Sequence, residues 1–491
     1  MEFGGIINSL ENKSILVTGS TGYLAKLFVE KILRVQPNVK KLYLLIRATD
    51  AKSSKERLQD EIVGKEVFGV LRRQYGDDLD AFISSKVTIL PGDVIYENLG
   101  VQETAMLEEL WKETDILVNV AANTKFDERY DVALGANTFG SKTVVDFAKK
   151  CVKLEMLLHV STAYVCGERS GLIMEKPFKM GETLNGTLGL DIQQEQRLVN
   201  QTLKELRAMK VTKAEEAQAM KELGMQRARL YGWPNTYVFT KAMGEMLIGH
   251  MRENLPLVII RPTVVTSTYR EPFPGWIEGA RHIDILTLGY GKGKLRCFLC
   301  DPAQILDLIP GDMVVNAMIA AMVAHANQST EIIYHVGSSS KNPINPNVFA
   351  DYAYEYFTKH PLINKDGSSI KVNRPTILGS MTSFQGYMAF RYLLPLKVFG
   401  MVNALCCKYF DQQCTNLNRK ASLVMFLAQL YAPYIFFDGI FDDLNTEKLR
   451  LALESNSTDA DVFFFDPKSI DWANYFKGIH LPGSVKYNLK M

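Results

Sequence analysis

Short apolar runs alternate with amphipathic stretches through the first half of the chain. KSILVTG (13–19) is β-branched and apolar, and LAKLFVEKILRVQ (24–36) follows with helical spacing. KKLYLLIR (40–47), KVTILPGDV (86–94) and DILVNVAA (115–122) read as three further strands. GSKTVVDFAKKCV (140–152) reads as a helix, EMLLHVSTAYV (155–165) as a fifth strand and LPLVIIRPTVV (255–265) as a sixth. Strands alternating with helices of this length predict parallel βαβ units, hence an α/β, doubly wound parallel sheet.

The pattern changes twice. Residues 192–230 are nearly free of Gly and Pro and heavy in Gln, Glu, Lys and Arg. They predict one or two exposed helices in an insertion spanning about 168–230, acting as a solvated hairpin or as a lid. The Ser, Asn and Pro cluster in HVGSSSKNPINPN (335–347) marks a boundary. The expected organisation is a first domain over 1–340, a connecting segment over 341–377, and a smaller, mainly helical C-terminal domain over 378–491. The longest uncharged run, 421–437, is near the lower limit for a membrane span and carries Gln429 and Pro433. It predicts a buried or membrane-surface helix rather than a span.

Composition narrows the class. A chain of 491 residues suggests more than one core. Apolar residues at 47% and charged residues at 22% are ordinary for a soluble globular protein. A net charge of +2 provides no basic field, so nucleic acid is not an expected partner. The seven cysteines are irregularly spaced and follow no secretory or transit pattern. That predicts a reducing compartment, a cytosolic start and no disulfide framework. CFLC (297–300) lacks a second pair at zinc-site distance and reads as apolar filling, like Cys406–Cys407, read as buried free thiols. The histidines lack metal spacing, and His159 reads as a packing residue; no metal site is expected.

VTGSTGYLAKLF (17–28) links the first strand to the first helix. Gly19 and Gly22 fit the first two positions of a GxxGxxG/A phosphate turn, with Ala25 at the third. Glycine there lets the chain approach a pyrophosphate, and the helix N-terminus supplies free N–H groups. Thr21, Tyr23 and Leu24 fall inside this turn and are expected cofactor contacts. An NAD-binding fold usually ends its second strand in an acid; here Arg47 stands there, which suits a 2′-phosphate and points to NADP(H). Asp50, three residues on, is the competing signal. Asp93 and Val94 after the third strand are expected beside the adenine, and Ala121 under the pyrophosphate and ribose.

Tyr237 and Lys241 in NTYVFTKAMGE (235–245) share one helix face, a turn apart. An ammonium favours the phenolate of a nearby tyrosine, whose ordinary pKa is about 10. The phenol thereby becomes a useful acid near neutral pH. Thr162 in HVSTAYVCG lies at a strand end, where its hydroxyl can polarise a substrate carbonyl; Ser161 is the alternative. Lys241 can also hold the ribose hydroxyls.

This set resembles the extended short-chain dehydrogenase/reductase superfamily on its Rossmann fold. The resemblance adds Asn137 in GANTFG, and Pro262 and Val264 in RPTVV near the nicotinamide. TGSTGYLAK, LYLLIRA, GDV, NVAANTKFDE, HVSTAYV, YVFTKAMGE, IIRPTVV and the terminal FFFDPKSIDWANYF together resemble an alcohol-forming fatty acyl-coenzyme A reductase of plant type. That implies NADPH, a long-chain fatty acyl-CoA substrate, two reductions through an aldehyde, and one Tyr–Lys–Thr site for both. It also implies peripheral contact with the cytosolic face of the endoplasmic reticulum. The rivals are a single-step, aldehyde-forming thioester reductase, a nucleotide-sugar epimerase and a non-catalytic NADP-binding protein. Arg47 and the FDPKSIDW motif oppose the epimerase, and the retained Tyr and Lys oppose the binding protein. No motif speaks to oligomeric state.

Overall fold

The structure is a computed structural model that describes residues 5–48, 50–405, 407–455 and 459–489. The six predicted runs form β1 (Ser14–Thr18), β2 (Lys41–Ile46), β3 (Val87–Pro91), β4 (Ile116–Asn119), β5 (Met156–Val160) and β6 (Leu257–Pro262). A seventh strand, β7 (Glu331–Val336), lies outside the sequence expectations. Its EIIYHV run directly precedes the Ser- and Asn-rich stretch read as a boundary. The sheet order is β7-β6-β5-β4-β1-β2-β3, every pair parallel. Every residue of β1, β4, β5 and β6 is buried, which is why these runs are continuously apolar rather than alternating. Leu16, Leu117, Leu157 and Ile259 from adjacent strands join one core cluster. Burying each such side chain contributes about 1.5–3 kcal/mol.

Four predicted strands overshoot by three residues or more. Those expected to reach 94, 122, 165 and 265 stop at Pro91, Asn119, Val160 and Pro262. The excess residues leave the sheet at its carboxyl edge, where an open α/β sheet binds ligands. Build-up reverses at β1, with β2 and β3 on one side and β4 on the other. The helices that matter are α1 (Tyr23–Val35), α2 (Gly140–Ala148), α3 (Ile192–Ala208), α4 (Lys213–Leu230), α5 (Thr236–Met251) and α6 (Gly311–Ala324).

The chain divides into two compact units, each discontinuous in sequence. One is formed from 1–279, 307–342 and 440–491, the other from 280–306 and 343–439. This differs from the linear division expected at 340 and 377. The terminal FFFDPKSIDWANYF stretch belongs to the sheet-bearing unit. Phe463, Phe465, Tyr475 and Phe476 are buried, Asn316 of α6 donates to the Phe464 carbonyl (2.8 Å), and Tyr475 donates to the Ser267 carbonyl (2.7 Å). Its aromatic side chains need an apolar surface, and that unit supplies one.

The insertion consists of α3 and α4, as expected, but it is anchored. Buried Glu195 of α3 binds Arg227 of α4 (2.5 Å) and accepts from the Tyr130 hydroxyl (2.8 Å). The second unit packs helix Ile283–Gly291 on helix Pro346–Lys359 through Tyr290 and Phe357, with ring centroids 6.2 Å apart. It also pairs Cys297–Leu299 with Thr376–Leu378 in parallel. Burial pushes the thiols of Cys297 and Cys300 up to about 11. Cys407 is exposed, against the expectation of burial; Cys406 lies outside the described residues. The run 421–437 falls largely within helix Asp411–Ile435, in which Ala421 is buried. Among the described residues no helix is long and apolar enough to cross a membrane.

Candidate active site

The parallel register sets Thr18 beside Asn119, Asn119 beside His159, and His159 beside Ile259. The residues that follow, Gly19, Ala121, Ser161–Thr162 and Thr263, therefore leave the sheet along one edge.

Gly19 has φ +66°, and a Cβ on it would sit 2.7 Å from the Ala121 backbone. Conformation and space both require glycine. The Ala121 N–H donates to Thr18 Oγ1 (3.2 Å), tying the two loops together. At Gly22 a Cβ would meet only the Gly19 carbonyl oxygen, at 3.1 Å. Gly22 stands at the N-cap of α1 and provides no side-chain cap. An open cradle of backbone donors at a helix N-terminus fits the pyrophosphate of a dinucleotide. Thr21 and Leu24 are half-buried beside it. Tyr23 is turned away: its hydroxyl lies 3.0 Å from the Thr266 carbonyl oxygen and 3.1 Å from that of Trp276, and its ring stacks on Trp276. The contact expected at Tyr23 is restricted to its backbone.

Arg47 is exposed just past β2. Asp50 is committed elsewhere: its carboxylate accepts the Ser53 N–H (2.7 Å) and caps the helix Ala51–Leu58. The nearby Arg57 guanidinium is paired with Glu61 (2.6 Å). Asp93 is half-buried after β3 and accepts the Ile95 N–H (3.2 Å), while Val94 is buried. Asn137 lies in the π-helical turn Leu134–Phe139 ahead of α2. Its amide donates to the Asn123 carbonyl (3.0 Å) and to Thr240 Oγ1 (2.9 Å), and accepts the Asn123 N–H (2.8 Å). Three of the four hydrogen bonds an amide can make are spent, so Asn137 positions the loop after β4 against α5. Pro262 ends β6, and Val264 opens the short strand Val264–Thr266 beside Leu308–Pro310. Arg261 is buried against Glu245 of α5 (2.5 Å).

Asn235 caps α5 by accepting the Val238 N–H (3.2 Å), which starts the helix at Thr236. Gly244 lets α5 rest on the backbone of Asn137. Tyr237, one turn before Lys241, stacks on Phe126 with centroids 5.8 Å apart and planes 19° apart. Lys241 Nζ is buried and donates to the Val160 carbonyl (2.8 Å), which brings the Tyr–Lys helix to the Ser161–Thr162 strand end. Burial pulls the Lys241 ammonium down to about 8, against the opposing pull of Glu245. Thr162 Oγ1 accepts the Tyr164 N–H (3.3 Å) and keeps its own proton for another acceptor. Ser161 Oγ is buried with no hydrogen-bond partner among the described residues, a state that a ligand atom would relieve. Phe126 and the Arg261–Glu245 pair were missed as site elements. They lie in the NTKFDE, TKAMGE and RPTVV motifs, but their roles depend on contacts between elements.

An open glycine turn at the carboxyl edge, with the helix of Tyr237 and Lys241 held against the Ser161–Thr162 strand end, fits an oxidoreductase of the extended short-chain dehydrogenase/reductase class. Two reductase domains of nonribosomal peptide or hybrid synthetases share the fold. One, from Mycobacterium tuberculosis, aligns over 98% of this chain and 94% of its own with a TM-score of 0.57 at 15% identity. The other, from the myxalamid pathway, aligns over 91% and 86% with a TM-score of 0.54 at 18% identity. Residues 17–318 and 391–491 match two family models, each described as male sterility protein. The chain is 53% identical to the alcohol-forming fatty acyl-CoA reductase of Simmondsia chinensis, over 99% of both chains. It is also 53% identical to fatty acyl-CoA reductase 1 of Arabidopsis thaliana, again over 99% of both. The chain belongs to this fatty acyl-CoA reductase family.

Proposed function

We propose that the protein reduces a long-chain fatty acyl-CoA to a primary fatty alcohol with NADPH, through an aldehyde, releasing coenzyme A. The observation that carries this reading is the junction of Lys241 with the strand end of Thr162, beside the open cradle at Gly22. Bound in that cradle, a reduced nicotinamide dinucleotide supplies hydride to the carbonyl carbon. Thr162 donates to the carbonyl oxygen and Tyr237 protonates it. Lys241, as an ammonium near neutral pH, makes the phenol a stronger acid. One site serves both reductions because negative charge develops on the same oxygen in each. Arg47, with Asp50 withdrawn into a helix cap, supports a 2′-phosphate and hence NADPH over NADH.

The test is purified protein with a long-chain acyl-CoA and NADPH, beside Tyr237→Phe. Expected are primary alcohol at two NADPH per thioester, and a loss of at least about 100-fold in the variant. Aldehyde at one NADPH per thioester would make the protein a single-step reductase.

The reading extends to a lipid surface. Phe390, Leu394, Val398, Met401 and Leu405 are exposed at helical spacing, flanked by Arg391, Lys397 and Lys408. An exposed apolar face with basic flanks suits peripheral docking on a membrane carrying anionic lipid. The family resemblance supports the cytosolic face of the endoplasmic reticulum as that membrane.

A further inference from the structure

Three buried polar side chains on neighbouring strands lead to Lys241. Thr18 of β1, Asn119 of β4 and His159 of β5 are each at most 2% exposed. Thr18 Oγ1 lies 2.6 Å from Asn119 Oδ1, Asn119 Nδ2 lies 2.9 Å from His159 Nδ1, and His159 Nε2 lies 3.3 Å from Lys241 Nζ. An apolar sheet interior tolerates such a row only when each member is satisfied. The packing role expected of His159 does not account for it.

The distances settle which way each hydrogen points. Thr18 Oγ1 accepts the Ala121 N–H and still has its own hydrogen to donate. A separation of 2.6 Å suits O–H···O and is short for N–H···O. Asn119 Oδ1 therefore faces Thr18, and the amide NH2 donates to His159 Nδ1. Complete burial, with the Lys241 charge adding to it, holds the His159 pKa well below its ordinary value, so the ring is neutral. A neutral ring that accepts at Nδ1 carries its hydrogen at Nε2.

We propose that His159 is a positioning residue for Lys241: Thr18 and Asn119 lock it as the Nε2–H tautomer, and it presents a hydrogen-bond donor to Nζ. The proposal rests on the Tyr237–Lys241 reading of the site. An N–H aimed at an amine lone pair is a hydrogen bond; aimed at an ammonium it is unfavourable. His159 thus disfavours the ammonium and turns its hydrogens toward the Val160 carbonyl and the Tyr237 face. The other groups around Nζ do not cancel this. Glu245 on α5 pulls the opposite way, but its carboxylate is bound by Arg261 of β6, which His335 of β7 adjoins at 3.5 Å. Asn137, ahead of α2, and Thr240 of α5 are uncharged. Asp312 of α6 is held by the N–H groups of Tyr269, Arg270 and Glu271. A lysine poised between amine and ammonium can return a proton to Tyr237 after each of two successive reductions.

Nitrogen-15 NMR of the wild-type protein carrying labelled histidine reads the tautomer directly, with His159→Gln identifying the resonance by its loss. The expected state is a neutral ring protonated at Nε2; an Nδ1–H or charged ring overturns the proposal. This arm requires no turnover, so it fails or succeeds independently of the assigned reaction. The second arm is the pH profile of kcat in Thr18→Val. Without the threonine hydroxyl the amide can reverse, the ring can accept from Nζ, and the ammonium gains a partner. The alkaline limb should then move up by roughly half a unit or more. Thr18→Ser, which keeps the hydroxyl, should retain the wild-type limb. A merely structural role would lower kcat with the limb in place, and an unmoved limb in folded Thr18→Val overturns the proposal. Full activity in Tyr237→Phe would instead sink the reading of the site and leave the tautomer result standing.

Discussion

Lys241 couples the chemistry of the site to stability. Its folded pKa of about 8 lies below the ordinary lysine value of about 10.4. Between those values the unfolded chain binds more protons than the folded one, so stability rises with pH across that window. Lys241→Met removes the penalty at pH 7 and also removes the partner of Tyr237. It should raise Tm at pH 7, with the gain fading toward pH 10, and abolish reduction. Thermal melts at both pH values check this; an undiminished gain at pH 10 contradicts it. Arg47 sets a second residue-scale expectation. Arg47→Ala should raise KM for NADPH about tenfold and leave KM for NADH within about twofold, because only the 2′-phosphate loses a partner. Equal changes for both cofactors would place Arg47 outside the site.

At the scale of elements, the insertion supports the catalytic helix. α4 holds the loop after β4 through Lys221–Asp127 (3.0 Å) and Arg129–Glu216 (2.8 Å). That loop carries Phe126, which stacks on Tyr237. Gly224 of α4 also sits against Thr236, the first residue of α5: a Cβ there would lie 2.7 Å from Thr236 Oγ1. Glu195 ties α3 to α4 and to Tyr130 from a buried position. Removing that carboxylate leaves Arg227 without its ion-pair partner and the Tyr130 hydroxyl without its acceptor. Glu195→Ala should cost about 3 kcal/mol in denaturant unfolding, whereas an exposed pair such as Lys52–Glu56 should contribute under about 0.5 kcal/mol. A neutral result at Glu195 would show the hairpin to be solvated decoration.

For the whole molecule, the chain returns to its own beginning. Residues 440–491 complete the sheet-bearing unit: the Asp442 backbone N–H donates to the Ile173 carbonyl (2.8 Å), and Glu175 accepts the N–H groups of His335 (2.8 Å) and Asn445 (2.6 Å). Burial raises the Glu175 carboxyl to about 7, opposed by those two N–H donors. The second unit carries the exposed apolar face. Changing Phe390, Val398 and Met401 together to Ser should abolish flotation of the protein with vesicles containing anionic lipid, without loss of secondary structure. Undiminished flotation would remove that face from membrane docking.

The strands, the glycine turn and the Tyr–Lys helix were legible because each is a local pattern. Fully buried parallel strands demand unbroken apolar runs, and a residue at positive φ against a neighbouring backbone demands glycine. What the sequence left open were roles depending on partners far along the chain. Asp50 competed with Arg47 as a signal until its carboxylate was seen capping a helix. Tyr23 looked like a cofactor contact until its hydroxyl was seen spent on the 266–276 loop. His159 looked like packing until three strands aligned it with Thr18, Asn119 and Lys241. The aromatic terminus looked like part of a separate domain until it was found in the sheet-bearing unit. Local pattern determined which elements form and which residues have chemistry to offer; tertiary packing decided which of them remain available, because a hydrogen bond made inside the fold cannot also be offered to a ligand.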